Sequence, residues 1–323
     1  MPLFDLPLPQ LRQYRPERHE PSDFDEFWSR TLHETRSHSL DAAFVEADVQ
    51  LPLVNVYDVT FAGYGGDPIS AWFISPKTSR PVGCVVKYLG YRGGRGHPHS
   101  HLVWPAAGWA VLVVDTRGQG ASATGSHGAT ADPHGTDGPQ APGMLTKGIA
   151  SAEGYYYRRV IADAVRAIDV AASHPQVDPA RIVTAGHSQG GGLSQAAAAL
   201  HDGVSAALID APFLTQFRRA AEIAATGPYV EIVHYLAAQR DREEHVFATL
   251  SYFDGVNFAA RGRVPALYST ALMDTVCPPS TVFAAYNHWI GDKDIDVWRW
   301  NGHECGEAWQ IDNQLRFINE HCG

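Results

Sequence analysis

Cysteine is scarce in this chain of 323 residues: four thiols, Cys84, Cys277, Cys305 and Cys322, with no C-x-x-C pair among them. So few cysteines, so widely spaced, exclude a disulfide framework and lead us to expect reduced thiols. Positive charge is also short, with 25 Lys and Arg against 35 Asp and Glu and a net charge of −10. Nucleic acid and anionic membranes are both recruited by clustered Lys and Arg, so neither is an expected partner. No stretch approaches the roughly 18 uninterrupted apolar residues of a membrane-spanning helix. The opening MPLFDLPLPQLRQYRPERHE holds no basic segment followed by an apolar run. A secretory leader is therefore not expected, and the cytoplasm is the expected location. Repeats, low-complexity tracts and linkers are absent as well, which points to one domain over residues 1–323.

What is present suits a globular protein. Hydrophobic residues make up 45% and charged residues 19%, enough to bury a core with no metal or disulfide to hold it. Ser22-Asp23-Phe24-Asp25 resembles a capping box, and Phe24, Phe27, Trp28 and Leu32 follow at helical spacing. This helix belongs to an N-terminal extension of about 40 residues. Runs at 53–62, 69–75, 82–89 and 109–115 read as strands, the last two continuously apolar, as when helices cover both faces of a parallel sheet. A helix from Arg158 ends near His174-Pro175, since proline cannot continue it. The segments 181–186, 204–213, 265–274 and 294–304 read as further strands, with an alanine-rich helix at 191–200. Alternating strands and helices define an α/β fold with a mostly parallel central sheet and helices on both faces. Two segments interrupt it: a glycine-rich stretch at 118–150, expected to be a long ordered loop, and a helical insertion at about 215–263. The insertion is expected over the sheet's carboxyl edge, where ligand sites of such folds lie, or at an oligomer contact.

Gly186-His187-Ser188-Gln189-Gly190 is a G-x-S-x-G pentapeptide, with an apolar strand running in and a helix pattern running out. That context separates a nucleophile elbow from a glycine-rich turn whose serine merely caps a helix. A serine hydroxyl needs a base to take its proton and an acid to orient the base. In the α/β-hydrolase fold the chain order is serine, acid, histidine. Asp274 ends the strand at 265–274 and His303 follows the last strand, so these two are the expected partners of Ser188. Asp210 is the alternative acid, also at a strand end but closer in order to the serine. His288, in a helical pattern, and His321, near the C-terminus, read as packing or surface histidines. The oxyanion of acyl transfer needs two N–H donors. The backbone of Gln189 is one; the other is expected from Gly90-Tyr91-Arg92-Gly93-Gly94, with the Tyr91 amide chosen and its ring free to wall the pocket.

No metal or cofactor is expected. His97-Pro98-His99-Ser100-His101 lacks recognisable zinc spacing, and His303-Glu304-Cys305 is not H-E-x-x-H; the histidine segment reads as a polar loop near the rim of the site. Asp115-Thr116-Arg117-Gly118-Gln119-Gly120 lacks both G-x-G-x-x-G and a Walker lysine. Arg117 is read instead as a buried or half-buried ion-pair residue that pins loops together.

Three blocks then fall together: Arg117-Gly118-Gln119, Gly186-His187-Ser188-Gln189-Gly190 and His303-Glu304. They resemble the R-G-Q, G-x-S-Q-G and H-E signature of carbohydrate esterase family seven, the acetyl xylan esterases and cephalosporin C deacetylases. The resemblance extends through FDLPLPQLRQYRPE, DFDEFW, GYRGGRG, DTRGQG, YYYRR, LSYFDGVNFAAR and DTVCPPSTVFAAYN, nearly the whole chain. It implies an α/β-hydrolase with an inserted helical segment, and a homo-oligomer, typically a hexamer, whose active sites face an internal cavity. It also implies a small substrate, an acetylated xylo-oligosaccharide or the antibiotic cephalosporin C. The implied triad is Ser188, Asp274 and His303, with oxyanion donors at Tyr91 and Gln189 and with Arg117, Gly118, Gln119 and Glu304 as motif residues. Cys305 departs from the pattern, because a small residue such as glycine is expected after the H-E pair.

Overall fold

The computed structural model describes residues 3–121, 126–134, 138 and 143–323. Among the described residues nine strands form one sheet: β1 (Ala43–Glu46), β2 (Val54–Ala62), β3 (Pro68–Pro76), β4 (Val82–Tyr88), β5 (Ala110–Val114), β6 (Val177–His187), β7 (Ala206–Asp210), β8 (Ala266–Ala271) and β9 (Lys293–Trp298). Their spatial order is β1-β2-β3-β5-β4-β6-β7-β8-β9. The first pairings, β1 with β2, β2 with β3 and β3 with β5, are antiparallel. Every pairing from β5 onward is parallel. The expectation of a mostly parallel sheet therefore holds. The apolar runs at β4 and β5 lie at its centre, where burial on both faces needs no polar alternation.

Helices cover both faces. They are α1 (Leu8–Leu11), α2 (Phe24–Arg36), α3 (Val103–Ala106), α4 (Tyr156–Ser173), α5 (Gln189–Leu200), α6 (Phe217–Ile223), α7 (Tyr229–Ala238), α8 (Glu243–Ser251), α9 (Gly255–Ala259), α10 (Pro279–His288) and α11 (Glu307–Cys322). One large core joins α2, α4 and α5 to the sheet. A second, with Val85, Val183, Leu208, Phe317 and Ile318, packs α11 on the opposite face. Between β7 and β8 the chain forms an insertion of four helices, α6–α9. Glu231 on α7 reaches the loop after β4, where it accepts from the Tyr91 hydroxyl at 2.8 Å, and so places the insertion at the carboxyl edge.

Boundaries differ for identifiable reasons. α2 is not closed by a capping box: Asp23 is the residue before it and makes no side-chain cap, because its carboxylate accepts from the Tyr252 hydroxyl at 2.6 Å. α4 begins at Tyr156, two residues before the expected Arg158, and β6 begins at Val177, which pairs with Val82. The runs 204–213 and 265–274 read too long, because the chain leaves the sheet at Ala211, with φ 37°, and after Ala271. The run 294–304 was likewise too long, since β9 closes at Trp298. Of the expected loop at 118–150, residues 122–125, 135–137 and 139–142 lie outside the described residues. Around them the chain folds back on itself: Gly94 donates to Ser126, Gly128 to Gly120 and Gly118 to Thr130. The backbones approach so closely that a Cβ on Gly94 would lie 2.2 Å from the Gly128 nitrogen, which only glycine permits.

Candidate active site

Ser188 stands between β6 and α5 with φ 59° and ψ −120°, a strained conformation for a residue bearing a side chain. Neighbouring main chain enforces it. The Ser188 N–H donates to Asp210 O at 2.9 Å, and its carbonyl accepts from Gly192 and Phe213, both at 3.0 Å. The flanking glycines are steric requirements: a Cβ on Gly186 would lie 2.2 Å from Gly190, and one on Gly190 would lie 2.3 Å from Tyr88 O. The expected elbow is thus formed, with Ser188 Oγ at the electropositive start of α5.

The turns after β8 and β9 deliver the other two side chains. Ser188 Oγ and His303 Nε2 are 2.9 Å apart, and His303 Nδ1 and Asp274 Oδ2 are 2.8 Å apart. Asp274 is wholly buried; its other oxygen accepts from the Val276 and Cys277 N–H groups at 2.8 and 3.0 Å. An acid held this way orients the ring with Nδ1 protonated and leaves Nε2 able to accept the serine proton.

The rival acid is not in this chain of contacts. Asp210 is buried on the α11 face, accepting from Ser269 Oγ at 2.6 Å and from Gln314 Nε2 at 2.5 Å. Burial pushes its carboxyl up to about 7. His288 Nδ1 donates to Ala284 O within α10, and His321 stacks on Phe317 within α11, so both serve their helices.

The proposed oxyanion loops are clamped together by one side chain. Gln119 Nε2 donates to Gln189 Oε1 at 2.8 Å and to the Tyr156 hydroxyl at 3.0 Å, while its Oε1 accepts from the Arg92 N–H at 2.6 Å. Gln189, fully buried, also accepts from the Tyr157 hydroxyl at 2.9 Å and donates to Leu89 O at 3.2 Å. Its backbone N–H opens α5, where no intrahelical acceptor exists. The Tyr91 hydroxyl donates to Glu231 and accepts from the Met144 N–H at 2.5 Å.

Arg117 lies fully buried beneath these loops. It donates to Asp163 at 2.6 and 2.8 Å and to Asp67 at 2.8 Å, with Asp132 at 3.6 Å. Burial by itself would weaken its protonation, but these carboxylates outweigh it and the guanidinium stays charged. Gly118 follows with φ 69°, turning Gln119 back toward the elbow. Glu304 caps the turn bearing His303: it accepts from the Gly302 N–H and from Asn301 Nδ2, each at 3.0 Å. Hydrogen bonds from its own N–H first, then from Gly302 and Asn301, hold its carboxyl below the usual range. Cys305 is buried with φ 48°, a left-handed conformation that explains why glycine is expected there. The histidine segment forms a short turn, Pro98–His101, in which His101 lies 3.3 Å from Lys87 Nζ.

Two contributors escaped the sequence. His187 Nε2 donates to the carbonyl of His303 at 2.6 Å, and the two rings lie 4.8 Å apart. Burial, followed by the neighbouring His303, pushes His187 down to about 4, so it is neutral at physiological pH. Glu231, on the insertion, holds both the Tyr91 hydroxyl and the Leu145 N–H. Position x of G-x-S-x-G was a signal for the first; nothing local marked the second.

A mostly parallel sheet flanked by helices, with a serine on the elbow after β6 and a hydrogen-bonded His and Asp on later turns, defines an α/β-hydrolase. The family model described as acetyl xylan esterase (AXE1) matches residues 1–321. The chain belongs to that family. It is similar to an acetyl xylan esterase from Paenibacillus sp. R4, with 40% identity and a TM-score of 0.92 over 98% of this chain and 100% of that one. It is likewise similar to acetyl xylan esterase 1 from Thermoanaerobacterium sp. JW/SL YS485, with 35% identity and a TM-score of 0.91 over 99% and 100%. Acetyl esterase Axe7A of Xylanibacter ruminicola is 25% identical over 303 residues, 90% of this chain. The chain spans 65% of the length of that curated relative. The α/β hydrolase GrgF from Penicillium sp. sh18, at 18% identity and a TM-score of 0.56, shares the fold.

Proposed function

We propose that this protein is a serine esterase that removes acetyl groups from short acetylated xylo-oligosaccharides and from cephalosporin C type acetate esters. The observation that carries the reading is the unbroken path from Ser188 Oγ through His303 to Asp274, with contacts of 2.9 and 2.8 Å. Ser188 attacks the acetyl carbonyl as His303 Nε2 takes its proton, while Asp274 stabilises the imidazolium. The tetrahedral oxyanion is met by the Gln189 and Tyr91 amides, held in register by Gln119. The sugar oxygen leaves with the proton from His303, and water then attacks the acetyl-enzyme by the same route in reverse. The protein acts in the cytoplasm as a homo-oligomer, a hexamer whose sites open to an internal cavity, so polymeric xylan is excluded.

Ser188→Ala is expected to lower kcat on p-nitrophenyl acetate by about 10³-fold or more, and to abolish labelling by a fluorophosphonate. Retention of most activity by that variant ends the mechanism. On p-nitrophenyl esters, acetate should be turned over much faster than octanoate; equal rates would redirect the reading to a lipase. Acetylated xylobiose should be hydrolysed and xylan polymer should not, by protein that elutes as a hexamer. A monomer active on the polymer overturns the enclosed cavity.

A further inference from the structure

One thiol beside the catalytic chain is unused by the proposed mechanism. Cys277 lies three residues after Asp274, and its N–H bonds the Asp274 carboxylate at 3.0 Å, which folds the turn back toward the nucleophile. Its side chain is wholly buried. One ligand atom each from Asp274, Cys277 and His303 lie within 4.8 Å of one another. Among the described residues no other three His, Cys, Asp or Glu side chains converge so closely. Carboxylate oxygen, thiolate sulfur and imidazole nitrogen are the donor set of tetrahedral zinc, whose ligand-to-ligand edges are about 3.3–3.8 Å. A shift of an ångström or so in side chains would close the set.

We propose that Asp274, Cys277 and His303 form an inhibitory site for a thiophilic divalent cation, with Zn²⁺ the fitting ion and water or Ser188 Oγ completing the tetrahedron. Binding converts the Cys277 thiol to a zinc thiolate and releases its proton to solvent. Burial, with Asp274 alongside, holds the thiol in its protonated form; the ion reverses that balance by supplying two positive charges against two anionic ligands. Mg²⁺ and Ca²⁺, which take oxygen ligands, do not fit. Both ring nitrogens of His303 are already engaged, Nδ1 with Asp274 and Nε2 with Ser188. Coordination at Nε2 removes the acceptor for the serine proton. Coordination at Nδ1 breaks the Asp274 bond and leaves the proton on Nε2, with the same result. The ion enters where the substrate does, since 30% of the His303 side chain is exposed while Asp274 shows none.

The inhibitory consequence rests on the triad reading above; the binding does not, and the experiment separates them. Hydrolysis of p-nitrophenyl acetate is measured against Zn²⁺ and Mg²⁺, with chelator added afterwards. Zn²⁺ should inhibit reversibly and Mg²⁺ should not. Because loss even of a supporting residue weakens metal sites about 10–100-fold, Cys277→Ser and Cys277→Ala should each raise the half-inhibitory Zn²⁺ concentration at least about tenfold, relative to their own uninhibited rate. His97→Ala controls for zinc held elsewhere, because His97, His99 and His127 cluster with ring centroids 5.3 and 4.8 Å apart; it should change nothing. Co²⁺ added to full-length Ser188→Ala protein should give the near-ultraviolet charge-transfer band of a cobalt–thiolate bond. That band should vanish when Cys277→Ser is combined with it. Unchanged inhibition in both Cys277 variants, or cobalt binding without the thiolate band, overturns the site. A band in a Ser188→Ala protein that retains its activity would uphold the site and overturn the triad.

Discussion

The two turns that meet at the active centre are built by opposite means. The Ser188 turn is made by backbone: three main-chain hydrogen bonds hold it, and Gly186 and Gly190 leave no room for a Cβ. The His303 turn is made by side chains. Glu304 caps it, His187 holds its carbonyl, and Cys305, Gly306 and Glu307 all take left-handed φ values of 48°, 82° and 46°. Ser188 therefore sits in a rigid frame shared with the sheet core, while His303 hangs on tethers that can be altered singly. A backbone-built position fails as a unit, whereas a tethered one degrades by steps.

Three substitutions sharpen this contrast, starting with the largest effect. Gly190→Ala drives a methyl to 2.3 Å from Tyr88 O and must part β4 from the elbow. Such overpacking against main chain should cost about 3 kcal/mol, read as a fall in the urea midpoint, with activity lost in parallel. A variant of near-native stability and rate would show the elbow to be less rigid than described.

His187→Phe keeps the ring beside His303 but removes the 2.6 Å bond to its carbonyl. A base displaced by a fraction of an ångström should lower kcat about tenfold, with KM little changed and His187→Asn recovering part of the loss. An equal fall in stability and no separate change in kcat would make His187 a packing residue only.

Asp210→Asn should have the smallest effect on rate, because Asp210 lies outside the Ser188–His303–Asp274 contacts. Its signature is in stability. Burial raises the Asp210 carboxyl to about 7. A raised acid binds its proton more tightly in the folded state, so its contribution is complete below the ordinary aspartate value near 4 and is lost as pH climbs to about 7. The wild type should therefore lose stability between pH 4 and 8 in a way the asparagine variant does not. Thermal melting at pH 5 and pH 8 checks this; a constant difference between the two proteins contradicts the assignment.

The sequence determined what adjacency and period can encode. Continuous apolar runs at 82–89 and 109–115 announced buried parallel strands, and glycines two positions either side of Ser188 announced the elbow. Chain order alone put Asp274 and His303 on the turns after later strands. Tertiary structure decided what depends on parts far apart in the chain. The Asp23 side chain was drawn from its helix to Tyr252, 229 residues away. Glu231 of the insertion, 140 residues from Tyr91, accepts from the Tyr91 hydroxyl, a contact that no local pattern encodes. Cys277 and His187 gained their neighbours only when three turns closed on one edge of the sheet. A residue's local pattern shows which backbone it can adopt, whereas its partners are set by packing, where geometry and desolvation choose among distant groups of similar chemistry.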